Sequence, residues 1–127
     1  MEFQAMVVEA YLGEFDIHTV HFDDGQDRYL QLRTPEVPMD PREVEPGYGL
    51  VEVEINDQLY CGVNCFSAAE LLRDLFRLVL DRDALLLERF GEIVTTFDLD
   101  DEEFAQLRQG LERVFRDYLA FRIDADG

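Results

Sequence analysis

Imidazoles and thiols are the side chains that bind zinc or carry nucleophilic catalysis. Here they are confined to two short stretches, His18-Thr19-Val20-His21 and Cys61-Gly62-Val63-Asn64-Cys65. Zinc needs four such donors on one tetrahedron. On a strand, His18 and His21 have opposite parity and face opposite sides. Three residues between the cysteines are also not the two of a zinc knuckle. Ordinary core or surface residues account for these four better than a metal site does. A catalytic thiol would need a cationic neighbour to lower its pKa, and the chain has no lysine. Ser67 is the only serine, and no Gly-x-Ser-x-Gly surrounds it. No phosphate loop or dinucleotide glycine pattern is present. The reading is a non-enzyme with no catalytic, cofactor-binding or metal-binding residue.

Asp98-Leu99-Asp100-Asp101-Glu102-Glu103 has the density of acid found in calcium loops. It lacks the glycine at the sixth loop position and the closing bidentate glutamate. Helix capping explains these acids without a metal. Asp100 suits an N-cap with Glu103 three residues on, and the acids favour the positive end of the helix dipole.

The remaining chemistry is charge. Val51, Val53 and Ile55 alternate with Glu52, Glu54 and Asn56, so one strand face is apolar and the other acidic. Glu52, Glu54 and Asp57 form a candidate interface for a basic partner, with Tyr48 and Tyr60 as aromatic anchors. The competing reading is a solvated strand face.

The elements that must position these residues can be placed in order. Residues 3–12 read as one strand and 15–22 as a second. Asp23-Asp24-Gly25-Gln26-Asp27 is a hairpin turn, and 28–33 is a third strand. Residues 34–47 hold all four prolines and read as a loop. A strand from about Gly49 to Ile55 follows, then a turn over Asn56-Asp57-Gln58 and an extended run over 59–63.

Residues 66–80 stay open. Ser67-Ala68-Ala69-Glu70 resembles a capping box opening a helix. The same residues also parse as strands Ala69–Leu72 and Leu75–Leu80 around Arg73-Asp74, and an almost uniformly apolar run has no period to decide between them. Asp81–Phe90 reads as a short helix stopped by Gly91, and Glu92–Phe97 as a strand. Phe104, Leu107, Leu111, Val114, Phe115 and Tyr118 recur at helical spacing and mark one apolar face. Gly110, mid-helix, points to a close contact with the sheet. Residues 123–127 read as a frayed tail.

At 127 residues with 47 % hydrophobic composition, the chain reads as one globular domain, 1–127. Its 29 acids against 11 arginines give −18, distributed along the whole length. Such a surface repels nucleic acid and anionic membranes and favours a basic partner. The N-terminus lacks a signal-peptide pattern, no apolar run reaches the roughly 20 residues that span a bilayer, and two cysteines make no disulfide framework. A cytoplasmic protein is expected.

Glu54-Ile55-Asn56-Asp57-Gln58, with Tyr60 and Gly62, resembles a segment of the bacterial polymorphic-toxin immunity proteins of immunity family ten. Tyr29–Arg33 with its following proline and acid loop, Ala69–Asp81, and Phe97–Phe104 fit the same pattern, so the resemblance covers about residues 28–116. Where those proteins often carry Gly-Gly after the tyrosine, this chain has Cys61-Gly62-Val63-Asn64. The resemblance implies that Ala69–Leu80 is a hairpin. It also implies a non-catalytic protein that binds and neutralises a cognate toxin without a cofactor. Charge suggests that the toxin has a basic surface, as nucleases do.

The expected fold is α+β: a mostly antiparallel sheet of about six or seven strands against a C-terminal amphipathic helix. The alternative function is a homo-oligomeric structural or regulatory domain. Leu85, Leu86 and Leu87 are too many consecutive leucines for one core face, which would suit a dimer interface.

Overall fold

The computed structural model describes residues 1–35, 50–81, 84–116 and 121–124. Two five-stranded sheets enclose one core, with helices α1 (Ala84–Arg89) and α2 (Asp101–Val114). Sheet A runs in the order β1 (Glu2–Gln4), β9 (Glu92–Thr96), β8 (Leu75–Leu80), β7 (Phe66–Leu72), β10 (Phe121–Asp124). Sheet B runs β2 (Val7–Leu12), β3 (Ile17–Asp23), β4 (Tyr29–Pro35), β5 (Glu52–Ile55), β6 (Asp57–Val63). The α+β class and the mostly antiparallel pairing match expectation. The ten described strands in two sheets exceed the six or seven expected in one.

Three features account for that excess. Residues 3–12 are two strands, not one. β1 pairs in parallel with β9 in sheet A, and β2 pairs antiparallel with β3 in sheet B. The mixed parity of this stretch arises because the chain changes sheets at Ala5-Met6. Residues 66–80 form the β7–β8 hairpin, so Ser67 and Glu70 lie on a strand rather than in a helix cap. Ile123 and Asp124 belong to β10, hydrogen-bonded parallel to β7, rather than to a frayed tail; 125–127 lie outside the described residues. Of the expected 34–47 loop, Thr34 and Pro35 end β4, and the rest lies outside the described residues.

Alternation holds where one sheet face is buried. Val20 and Phe22, Leu30 and Leu32, and Val53 and Ile55 all point into the core from neighbouring strands of sheet B. Phe76 and Leu78 answer from sheet A, and Phe22 stacks on Phe76 with ring centroids 5.4 Å apart and planes 7° from parallel. Asp23-Asp24-Gly25 makes the expected hairpin turn. The Gly25 amide donates to the Asp23 carboxylate at 2.7 Å and the Gln26 amide to that of Asp24 at 2.8 Å. The Gln26 amide first, then the Arg28 amide and charge, hold the Asp24 carboxyl below its usual range.

Helix α2 begins at a complete capping box. Asp100 accepts from the Glu103 amide at 2.8 Å, and Glu103 accepts from the Asp100 amide at 3.1 Å. Phe104, Leu107, Leu111 and Val114 are its buried face, as their spacing predicts, whereas Phe115 is buried as the residue that caps the helix and Tyr118 lies outside the described residues. Asp100→Ala orphans a helix amide and should cost about 1 kcal/mol. Urea denaturation would register this as a lower midpoint at unchanged slope. No loss of stability would show the cap to be idle.

Candidate functional site

The outward face of sheet B follows from its registers, because residues directly opposite on antiparallel strands share a face. One row reads Glu9, His21, Gln31, Glu54, Cys61 across β2 to β6. The next reads Tyr11, Thr19, Arg33, Glu52, Val63. A shorter row holds Val7, Asp23 and Tyr29. Glu52 and Glu54 therefore point outward, while Val51, Val53 and Ile55 are fully buried beneath them.

Both acids are held by neighbours. Arg33, directly opposite Glu52, donates to its carboxylate, and this contact keeps the guanidinium protonated beyond its ordinary range. Both side chains are about one-third exposed, at 35 % and 38 %, so the pair adds only about 0–1 kcal/mol to stability. The Tyr29 hydroxyl donates to Glu54 at 2.6 Å, and its ring stacks on His21 at 5.4 Å. His21 in turn contacts Gln31 Oε1 at 3.0 Å and Asp23 Oδ2 at 3.2 Å. Each carboxylate keeps further lone pairs, so it can still accept from an incoming cation. Its side chain is already oriented, which lowers the entropic cost of doing so.

Burial, then the hydrogen bond to Glu54 and its charge, push the Tyr29 phenol well above its ordinary value. The folded state therefore resists ionising this group more than the unfolded chain does. The associated stability is intact below about pH 10 and is lost as pH rises above it. Wild type should lose stability faster than Tyr29→Phe across that range. Parallel decline of the two in urea melts would overturn the assignment.

The five expected partner-binding residues do not form one cluster. Glu52 and Glu54 share the outer face. Asp57 is exposed at the β5–β6 turn, where its carboxylate accepts from the Leu59 amide at 2.9 Å. Asn56 forms that turn with φ 61°, a left-handed conformation asparagine tolerates. Tyr60 lies on the other side of β6, packed against the core. Its ring meets Phe90 edge-on at 5.5 Å, and the Arg89 guanidinium sits 4.7 Å above it. Tyr60 therefore braces α1 and is separated from the acids. Tyr48 lies outside the described residues.

Sequence reasoning missed Arg33 and Tyr29, which orient the acids. The signal was their shared parity in 28–33, opposite to that of inward Leu30 and Leu32.

His18 and His21 stand on opposite faces of β3, Cys61 is exposed and Cys65 is buried. Among the described residues no three His, Cys, Asp or Glu side chains converge as a metal site would require. Asp98–Glu103 opens α2, and Asp101 accepts from Arg73 at 3.1 Å. No helix among the described residues is long and apolar enough to cross a membrane.

Both outer faces carry more acid than arginine, and sheet B has one arginine fewer. On sheet A, Glu2, Glu70, Glu92 and Asp124 share the outer face with two arginines, Arg77 and Arg122, and Arg77 lies 2.7 Å from Glu92 and 4.0 Å from Glu70. On sheet B, Glu9, Asp23, Glu52 and Glu54 share the outer face with one arginine, Arg33. What this arrangement can do chemically is accept cations. Comparison with family models, curated proteins and solved structures gives no match for this chain.

Proposed function

We propose that this chain is a non-catalytic binding protein of the toxin-immunity kind. It would act in the cytoplasm and neutralise a cognate bacterial toxin by covering a basic surface on it. The observation that carries this reading is the outer face of sheet B, with four acids against one arginine on a rigid scaffold of total charge −18. Such a surface accelerates encounter with a cationic protein and disfavours wrong partners. The motif resemblance over residues 28–116 supports the same reading. Binding alone suffices for the task, so neither a cofactor nor turnover enters.

The test is co-expression with the toxin domain encoded beside this chain. Cells should survive the toxin only when the chain is present. Death at equal rates with and without it sinks the reading. Charge-neutral variants are the right probes of the face. Glu52→Lys would set two cations against each other at Arg33, whereas Glu52→Gln and Glu54→Gln keep hydrogen-bond acceptors for Arg33 and Tyr29. The double glutamine variant should weaken toxin binding mainly through a slower, less salt-sensitive association rate.

A homo-oligomeric domain is the second reading. Its specific support is that Leu59, Leu85 and Leu87 are 78 %, 55 % and 47 % exposed while Leu86 between them is buried. Sedimentation equilibrium decides: mass rising with concentration favours it, and a constant monomer mass removes it.

A further inference from the structure

Four strands end the two sheets, and three of them are poor templates for another strand. β1 has three residues and β10 four. β6 breaks register beside Glu54-Ile55, and its Tyr60 is covered by Phe90 and Arg89 from the end of α1. Bulges, short lengths and covering elements are the usual protections of a sheet edge. Among the described residues, β2's edge has none of them. Its six residues pair with β3 in unbroken register and include no proline or lysine. Among the described residues no strand pairs with its other side. Along this edge Val7, Tyr11 and Leu12 are 42 %, 47 % and 50 % exposed, and Met6 just before it is 70 % exposed.

A second feature lies beside this edge. Helix α2 crosses the inward side of β2 and β3, with Gly110 against Ala10 and Val20. Between β2 and the helix is an open cleft of about 370 Å³, lined by Ala10, Leu12, His18, Gln106, Gln109 and Arg113. An unpaired edge flanked by a helix can capture an extended peptide: main-chain hydrogen bonds supply affinity, and alternate side chains read the neighbouring surfaces.

We infer that β2 and α2 form a groove that takes an extended, centrally basic segment of a partner protein as a sixth strand of sheet B. The register dictates its chemistry. Outward side chains of the added strand lie beside Val7, Glu9 and Tyr11, and inward ones enter the cleft beside Ala10 and Leu12. Opposite Glu9 a lysine or arginine is favoured. Two residues to either side, apolar or aromatic side chains fit Val7 and Tyr11. A second copy is the poorer occupant, because it brings −18 against −18. The inference holds whether the bound protein is a toxin or not, so its failure leaves the co-expression result standing.

The test is selection from a phage-displayed random-peptide library on the full chain. The groove should enrich peptides alternating apolar, any residue, basic, any residue, aromatic. Binding of a synthetic enriched peptide should fall roughly three- to tenfold in Glu9→Lys, where a favourable cross-strand charge pair becomes a repulsive one. N-methylation of the peptide backbone should abolish binding at every second position and be tolerated between them, since a strand directs alternate amides to its neighbour. This control leaves the protein unaltered, so loss of folding cannot imitate it. The inference is overturned by failure to enrich, by enriched peptides without the pattern, or by binding indifferent to N-methylation. Self-association of the chain that Glu9→Lys changes would equally overturn it in favour of a second copy.

Discussion

Phe76→Ala should destabilise the domain by roughly 3–5 kcal/mol, a large part of the 5–15 kcal/mol that typically separates folded from unfolded domains. Phe76 stands on the central β8 of sheet A and is fully buried. Its ring stacks on Phe22 of sheet B and lies 6.1 Å from Phe115, which follows α2. One side chain thus joins both sheets and the end of the helix. Truncation removes its transfer free energy and leaves a cavity whose walls come from three elements that cannot all close inward. Urea denaturation should show a much lower midpoint, and Phe76→Leu should lose distinctly less. Equal losses for alanine and leucine would show that filling the volume contributes nothing and would overturn the cavity argument.

Gly110→Ala is the second. In an exposed helix interior this change stabilises by about 1 kcal/mol. Here the new Cβ would lie 2.6 Å from Ala10 Cβ and 3.2 Å from Val20 Cγ2. Neither is the tip of a flexible side chain, so strand or helix must move, and overpacking of this sort costs about 1–3 kcal/mol. The clash should outweigh the propensity gain. Gly110→Ala should therefore be less stable than wild type, and Gly110→Val less stable still. Ala10→Gly should rescue part of the loss when combined with Gly110→Ala, a non-additivity expected only of residues in contact. A stabilised Gly110→Ala would show that helix and strand separate freely. Because the same contact sets the cleft beside β2, the variant also probes that groove.

These two residues differ in how far sequence could reach them. Gly110 stood out as a glycine on an otherwise regular helical face, and a close approach to the sheet was the physical reading. Phe76 sat in a uniformly apolar run that fitted helix and hairpin alike. Its role depends on which strands lie beside it, and that is settled by partners far along the chain.

Local signals account for most of what could be read in advance. The 3.6-residue period and capping box define α2, because both act within a turn or two of the backbone. The two-residue alternation of 51–55 shows which side chains are buried and which acids face outward, because a strand surrounds itself with two unlike environments. The Asp-Gly turn defines the β3–β4 hairpin for the same local reason. Charge of −18 is a property of composition and needs no fold.

Tertiary structure decided what depends on pairing at a distance. Nothing in residues 1–12 reveals that Glu2–Gln4 joins Thr96's strand while Val7–Leu12 begins another sheet. A parallel partner some ninety positions away leaves no periodic trace. The tail is similar: Phe121–Asp124 is short and unremarkable until β7 offers a place beside it. The candidate site divides along the same line. Alternation places Glu52 and Glu54 on one face, but only cross-strand register sets Arg33 and Tyr29 against them and turns Tyr60 towards α1. The open edge of β2 is the plainest case, since a strand is an edge only by virtue of which strands do not pair with it.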